Sequence, residues 1–134
     1  MKNAEELINK AKEAMKNAYA PYSNFHVGAA VLLKNDIIIT GSNIENASYG
    51  LSNCAERSCL FATYSQGYRR DDIVMMAIAA DFPGHCSPCG ACRQVMAELV
   101  NKDCPVYLID KDGSVHKTTN GELLPYGFDE ESLK

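Results

Sequence analysis

Two short stretches of the chain carry residue types that bind metals and move protons. The first, CAER at 54–57, sets Cys54 two residues ahead of Glu56, and the second, PCGAC at 88–92, sets Cys89 three residues ahead of Cys92. Thiols one helical turn apart can face the same point, as paired metal ligands do. Three thiolates around a tetrahedral zinc ion would leave the fourth position for water, which is the arrangement of a catalytic metal site.

The same cysteines allow two other interpretations. Cys89 and Cys92 alone match a redox-active CxxC pair, but that interpretation leaves Cys54 and Glu56 without a role. Cys86 lies three residues before Cys89 and could complete a closed site of four thiolates. Such a site would hold a structural zinc in a small, non-catalytic binding module, because four sulfurs exclude the catalytic water.

Two side chains beside Cys54 could serve the metal. Residues two apart on a helix point to nearly opposite faces, so Glu56 shares a pocket with Cys54 only if Cys54 stands at the mouth of the helix. A carboxylate there, next to the metal but not bound to it, could take a proton from a water molecule and pass it on. Arg57 could donate hydrogen bonds to the ligand sulfurs and offset the net negative charge of zinc with three thiolates. Without the cysteines, both residues would be interpreted as solvated helix residues.

Three segments predict the helices that must position these groups. The first opens near Asn3 and Glu6, which resemble a capping box, and its apolar residues recur at helical spacing until Pro21. The other two helices are expected to open at Cys54 and at Cys89. Exposed backbone N–H groups and the positive end of the helix dipole at such starts favour thiolate, which is the form that binds zinc.

Five apolar segments predict strands, at 25–33, 37–44, 73–80, 105–110 and 114–119. The first two form a hairpin, as do the last two, and the third is continuous enough to be buried on both faces. The order αββαβαββ predicts an α/β protein, a three-layer α/β/α sandwich in one domain over 1–134. Helices that follow parallel strands start at one end of a sheet, so Cys54 and Cys89 are expected to meet there.

Composition counts against several classes of function. Thirteen Lys and Arg against seventeen Asp and Glu give a net charge of −4, and the basic residues are scattered, which disfavours a surface for nucleic-acid phosphates. No apolar run approaches the ~20 residues of a membrane span, and MKNAEELINK lacks the apolar core of a signal peptide. We therefore expect the cytoplasm, where clustered thiols more often bind metal than form disulfides.

Three motifs together resemble the small, homotetrameric cytidine deaminases: NIENASYG at 43–50, CAER at 54–57 and PCGACRQV at 88–95. Zinc nucleobase deaminases share an HxE…PCxxC signature with His/Cys/Cys or Cys₃ ligands, and this chain has the three-cysteine form. The similarity runs over nearly the whole chain. It implies a mixed five-stranded sheet, one Zn²⁺ per subunit, and hydrolysis of cytidine and deoxycytidine to uridine and deoxyuridine with release of ammonia, in pyrimidine salvage.

The resemblance also implies the reacting groups. Cys54, Cys89 and Cys92 would be the zinc ligands, and a zinc-bound hydroxide would attack C4 of the pyrimidine. Glu56 would shuttle protons, first to N3 of the ring and then to the departing amino group. The histidines of the chain, His26, His85 and His116, lie outside the motifs and have no role in this mechanism.

Five more residues receive substrate-binding roles from the resemblance. Asn43 and Glu45 would hydrogen-bond the sugar, and Phe25 would stack on the base. Tyr49 and Phe128 would reach across to complete the pockets of neighbouring subunits, which makes a homotetramer the expected assembly. Taken alone, turn-forming residues and a phenylalanine that opens an apolar strand also have purely structural explanations.

Two rival enzymes share part of the pattern. Blasticidin S deaminase has the same cysteines and glutamate, but the NIEN stretch favours a nucleoside substrate. A deaminase that edits RNA or DNA would need a basic groove, and the acidic balance of the chain counts against one.

Overall fold

A five-stranded mixed sheet forms the centre of the molecule in the computed structural model, which describes residues 1–128 and 130–133. Its strands are β1 (Val27–Leu33), β2 (Ile38–Ser42), β3 (Ile73–Ala80), β4 (Pro105–Ile109) and β5 (Val115–Thr119). They lie in the order β2-β1-β3-β4-β5. The β3–β4 pair is parallel and the other neighbouring pairs are antiparallel.

Helices cover both faces of this sheet. They are α1 (Ala4–Met15), α2 (Ala55–Ser65), α3 (Gly90–Leu99) and the short α4 (Asn120–Leu123), with 3₁₀ turns at Tyr49–Leu51, Arg70–Asp72 and Glu130–Leu133. One core cluster joins α1 to the sheet, and a second joins α2 and α3 to its other face. The expected three-layer α/β/α sandwich with a mixed sheet is confirmed. No helix in the described ranges is long and apolar enough to cross a membrane.

Strand β1 shows how the two cores share one sheet. Successive strand residues point to opposite faces, so Val31 belongs to the core beneath α2 and α3, whereas Leu32 belongs to the core beneath α1. Both side chains are fully buried. The core beneath α2 and α3 also holds Cys59 and Cys104, and burial raises the pKa of each of these thiols to about 12.

The first helix is shorter than its sequence pattern predicts. Asn3 caps it as expected, its side chain accepting a hydrogen bond from the Glu6 backbone N–H at 3.0 Å, but the helix ends at Met15 rather than near Pro21. The segment that follows pairs instead with the loop after β2: Tyr19 N–H donates to the Asn43 carbonyl at 2.9 Å. Tertiary pairing thus overrides the helical periodicity of these residues.

Strands β2 and β3 run in the same direction, because both pair antiparallel with β1 between them. The helices that follow them, α2 and α3, therefore begin at the same end of the sheet. The sequence argument reached this result by assuming parallel neighbours, whereas the structure reaches it through two antiparallel pairings. In either case the two cysteine-bearing helix starts are brought together.

Gly41 lets α2 lie directly on β2. A Cβ atom added at Gly41 would stand 2.3 Å from the backbone nitrogen of Cys59, a distance that real Cβ atoms do not tolerate. Backbone therefore packs against backbone at this position, which fixes the depth of the helix that carries Cys54 at its start.

Gly41→Ala is expected to lower the free energy of unfolding by about 2 kcal/mol or more, because the added methyl overpacks a contact with backbone that cannot move aside locally. Gly50→Ala is the matched control, since a Cβ there meets no atom within 4 Å and Gly50 has no positive φ. Thermal unfolding at a fixed protein concentration measures both. Equal midpoints for the two variants would show that the close approach at Gly41 does not matter.

Candidate metal centre and active site

Three thiols converge where α2 and α3 begin. Cys54 and Cys89 are the N-cap residues of these helices, and their Sγ atoms lie 3.8 Å apart. Cys92, in the first turn of α3, joins them, so that the three sulfurs lie within 4.8 Å of one another. Tetrahedral Zn–S bonds of ~2.3 Å separate ligand sulfurs by ~3.8 Å. The donor set and its spacing therefore fit a zinc ion held by Cys54, Cys89 and Cys92.

The surroundings of Cys54 favour the ionised form of its sulfur. Hydrogen bonds from the Cys92 thiol and then from the Arg57 guanidinium lower the pKa of Cys54 from 9.0 to about 5. The Arg57 Nη2–Sγ distance is 3.3 Å. Donating to the Cys54 thiolate, together with burial, raises the pKa of Cys92. Thiolates this close repel one another, so ionising all of them requires a cation in their midst.

Glu56 and Cys54 line the same pocket, although residues two apart on a regular helix would point to nearly opposite faces. Cys54 has extended backbone angles, φ −74° and ψ 155°, because it precedes the first helical turn. The sequence requirement that Cys54 stand at the helix mouth is thus met. Glu56 is only 4% exposed, and burial raises the pKa of its carboxyl group. This pocket therefore combines thiols that could hold a soft metal ion with a carboxyl group whose pKa is raised.

A cleft of about 240 Å³ opens beside the thiols. The cleft is lined by Cys54, Cys89 and Glu56, together with mostly apolar side chains from β1, β3 and the neighbouring loops. This volume lies below the ~300–1,000 Å³ of most small-molecule sites. One chain therefore encloses room for a small planar group, and a larger ligand would extend beyond the part of the cleft that this chain builds.

Two aromatic rings border the cleft. Phe25 is half exposed, so it lies outside the core, and its ring centroid is 5.4 Å from that of Phe82. The β1–β3 register pairs Val27 with Ala80, and continuing it places Phe25 opposite Phe82. Sequence reasoning missed Phe82. Phe25 lies two residues before the start of β1, and Phe82 lies two residues after the end of β3. These positions indicate that the two rings are close only once β1 is known to pair with β3.

The structure separates the two predicted sugar-binding residues. Asn43 lines the cleft, and its amide bridges the backbone on either side of His26, accepting from Val27 N–H and donating to the Phe25 carbonyl, both at 2.8 Å. Glu45 instead lies in a neighbouring depression, where its carboxylate accepts hydrogen bonds from the backbone N–H groups of residues 22 and 23 and from the Ser23 hydroxyl. The Ser23 hydrogen bond is the main cause that lowers the pKa of Glu45.

Tyr49 and Phe128 do not border the cleft of their own chain. Tyr49 is 77% exposed and contacts Tyr22 edge to face, with ring centroids 6.2 Å apart. Phe128 is 58% exposed, and its backbone carbonyl accepts a hydrogen bond from the Gln94 side chain on α3. Both rings are therefore presented to the outside of the chain.

Cys86 does not complete a four-thiolate site. Its Sγ donates to the Ile78 carbonyl at 3.5 Å, and among the described residues the metal-binding group of thiols consists of Cys54, Cys89 and Cys92. Burial raises the pKa of Cys86 to about 12, so it stays a thiol. Cys86 borders the cleft instead, and the closed structural site is not formed.

Comparison with known proteins supplies the family. Residues 1–108 match the cytidine and deoxycytidylate deaminase zinc-binding region. A cytidine deaminase of Halalkalibacterium halodurans is 53% identical over 127 residues, 95% of each chain. The chain belongs to the cytidine and deoxycytidylate deaminase family. Zinc is accordingly its cofactor, and the three-thiol group is able to hold the ion.

Further relatives support membership over the full length of the fold. A cytidine deaminase of Sporosarcina psychrophila is 47% identical over 131 residues, covering 98% of this chain and 95% of its own. The crystal structure of the cytidine deaminase from Burkholderia pseudomallei superposes with a TM-score of 0.91 at 46% identity, covering 95% of this chain and all of the other. By contrast, a blasticidin-S deaminase of Bacillus cereus is 32% identical over 130 residues, covering 92% of this chain and 90% of its own, so the rival enzyme is a more distant relative.

Cys89→Ser is expected to lose most of the bound zinc, because a hydroxyl is a much weaker ligand for this ion than a thiolate. Cys86→Ser should keep the zinc, since the Cys86 sulfur faces the Ile78 carbonyl rather than the other thiols. Zinc per chain, measured by atomic absorption after dialysis, compares the two variants with the unaltered protein. Zinc loss from Cys86→Ser to the extent seen for Cys89→Ser would contradict the three-thiol assignment.

Proposed function

We propose that this protein hydrolyses cytidine and deoxycytidine to uridine and deoxyuridine with release of ammonia, a reaction of pyrimidine salvage. The observation that carries the proposal is a group of three convergent thiols, two of which line one cleft together with the buried Glu56, in a chain of this family. Water adds to C4 of the pyrimidine and the C4–N bond then breaks, so both protons of water must be moved during the reaction.

Glu56 is the proposed proton carrier. Its carboxylate accepts a first proton from the attacking water and delivers it to N3 of the ring. It then accepts the second proton from the oxygen now bonded to C4 and delivers it to the amino group, which leaves as ammonia as the C4–N bond breaks and the C4 carbonyl forms. Burial raises the pKa of Glu56, which makes its carboxylate a better proton acceptor, and a pKa closer to the operating pH suits a group that must both take up and release protons. Its place beside the thiols rather than among them suits a group that must release its proton.

Cys54, Cys89 and Cys92 are the proposed zinc ligands, and a bound zinc ion supplies Lewis acidity that makes water nucleophilic at neutral pH. Arg57 tunes that group: its guanidinium donates to Cys54 Sγ at 3.3 Å and brings a positive charge to a cluster of anionic sulfurs. The thiolate contacts raise the pKa of Arg57, so it remains charged.

The proposed base-binding wall is Phe25, a ring half exposed to the cleft and beside Phe82. A flat apolar surface stabilises a planar pyrimidine by burying its face. The small volume of the cleft fits the base better than the whole nucleoside, which places the sugar toward the opening.

Asn43 and Glu45 are the proposed sugar ligands. Each amide atom of Asn43 makes one hydrogen bond with backbone, which leaves one N–H and one lone pair free for a hydroxyl. The Glu45 carboxylate accepts three hydrogen bonds and has about one lone-pair site left, on the oxygen that Ser23 Oγ contacts. Both groups are thus held in place while keeping capacity for a 3′-hydroxyl, which cytidine and deoxycytidine share.

A homotetramer in the cytoplasm is the proposed working form. Tyr49 and Phe128 turn away from the cleft of their own chain, which suits rings that complete the clefts of neighbouring subunits. Aromatic residues are enriched at the interfaces between protein subunits. The six cysteines are all free thiols, in keeping with a reducing compartment.

Incubation of the zinc-loaded protein with cytidine or deoxycytidine is expected to decrease ultraviolet absorbance and release ammonia, while CMP, blasticidin S and a single-stranded oligonucleotide should remain unchanged. Glu56→Gln should keep its zinc yet lose about 10²–10⁴-fold in kcat, because an amide cannot carry the proton. Glu5→Gln, on the exposed face of α1, is the matched control and should keep full activity. Turnover of blasticidin S in preference to cytidine, or a fully active Glu56→Gln protein, would contradict the proposal.

Dilution tests the assembly. If neighbouring subunits complete each cleft, turnover per chain should fall as the tetramer dissociates, and Phe128→Ala should raise KM for cytidine in protein that remains tetrameric. Analytical ultracentrifugation at the assay concentrations reports the state of assembly. Unchanged turnover per chain in a demonstrated monomer would contradict a shared site.

A further inference from the structure

A second group of metal-binding side chains lies outside the thiol centre. It consists of His85 in the loop between β3 and α3, Asp110 at the start of the β4–β5 turn, and His116 on β5. One ligand atom from each lies within 4.8 Å of the other two. These residues belong to none of the motifs that indicated the deaminase family, and the proposed reaction gives them no role.

The geometry of this group matches ligands around an ion. His85 Nδ1 and His116 Nε2 each lie 3.2 Å from the same carboxylate oxygen, Asp110 Oδ2. Tetrahedral bonds of ~2.0 Å place neighbouring ligand atoms ~3.3 Å apart. Charge-assisted hydrogen bonds are usually shorter, at ~2.7–2.9 Å.

A histidine–aspartate pair elsewhere in the chain shows the contrast. His26 Nδ1 lies 2.7 Å from Asp81 Oδ2, which is an ordinary length for a single strong hydrogen bond. Neither residue belongs to a metal-binding group of three among the residues that the structure describes. The same two residue types therefore occur once as a simple pair and once as a wider three-membered cluster.

Backbone contacts hold the central carboxylate in place. Asp110 Oδ1 accepts a hydrogen bond from the Cys86 backbone N–H at 2.6 Å, and the Asp110 backbone closes the turn through bonds with Gly113 N–H and the Ser114 carbonyl, each at 2.9 Å. The Asp110 side chain is only 10% exposed. A ligand oriented by such contacts loses little freedom on binding an ion, which is the usual contribution of residues around a metal site.

The two imidazoles leave the site open to solution. The side chains of His85 and His116 are 82% and 51% exposed, and their rings stand edge to face with centroids 5.3 Å apart. A cleft of about 580 Å³ borders the group, lined also by Lys111 and Asp112, whose charges cancel. An ion can therefore enter, and water can fill the remaining coordination positions.

We propose that His85 Nδ1, Asp110 Oδ2 and His116 Nε2 form a second, surface metal site. Two imidazoles and one carboxylate suit a divalent ion of borderline softness, such as zinc, better than magnesium or calcium, which prefer all-oxygen ligands. The bound ion joins the loop that leads to Cys89 to the β4–β5 turn, two segments that Asp110 already links through Cys86. This site is independent of the proposed deaminase reaction.

Zinc titration of the zinc-loaded protein tests the site. The protein is dialysed against a series of free Zn²⁺ concentrations set by a metal buffer, and zinc per chain is measured by atomic absorption. The unaltered protein is expected to take up a second zinc, and His85→Ala and His116→Ala each to lack that uptake at the same free Zn²⁺. His26→Ala is the matched control and should bind the second zinc as the unaltered protein does, because His26 faces a single carboxylate.

Histidine ring resonances give a second measurement on the same samples. Added Zn²⁺ should shift the ring protons of His85 and His116 in the unaltered protein and leave those of His26 in place. The proposal is wrong if the unaltered protein takes up no second zinc, or if either His85→Ala or His116→Ala binds it with unchanged affinity. All variants keep the three thiols and Glu56, so either outcome leaves the deaminase proposal to its own test.

Discussion

The close approach of three cysteine sulfurs is the interaction on which the rest of the site depends. Two of them stand 3.8 Å apart at the starts of separate helices, which is also the spacing of sulfur ligands around a tetrahedral zinc ion. The sheet brings the two helix starts together, because β2 and β3 both run antiparallel to β1. The helices α2 and α3 therefore begin at the same end of the sheet.

One turn of chain at the start of α2 carries the three residues to which we assign different chemical roles. Cys54 keeps extended backbone angles as the N-cap, which directs its sulfur toward α3. Glu56, already inside the helix, is buried at the cleft, and Arg57 returns to the Cys54 sulfur. Had Cys54 been helical, its side chain and that of Glu56 would have pointed to nearly opposite faces. The N-cap position therefore allows the proposed zinc ligand and the proposed proton carrier to lie so close in sequence.

Local patterns in the sequence predicted the strands, the helix starts and the meeting of Cys54 with Cys89, because periodicity and spacing act over short distances. Long-range pairing was harder to predict. The end of α1 was placed too late because its last residues pair with the loop after β2. Phe82 was missed because its place opposite Phe25 depends on the β1–β3 register. The separation of Asn43 from Glu45, and the grouping of His85 with His116, likewise depend on turns whose geometry the residue types alone do not specify.

The most direct test is X-ray absorption at the zinc edge of protein loaded with a single zinc per chain. The account predicts three sulfur neighbours at ~2.3 Å and one lighter oxygen or nitrogen neighbour, which is the signature of a site with an exchangeable position. Four sulfur neighbours would mean that Cys86 closes the site. Fewer than three would mean that the two helix starts do not hold the ion together, and either result would contradict the central claim.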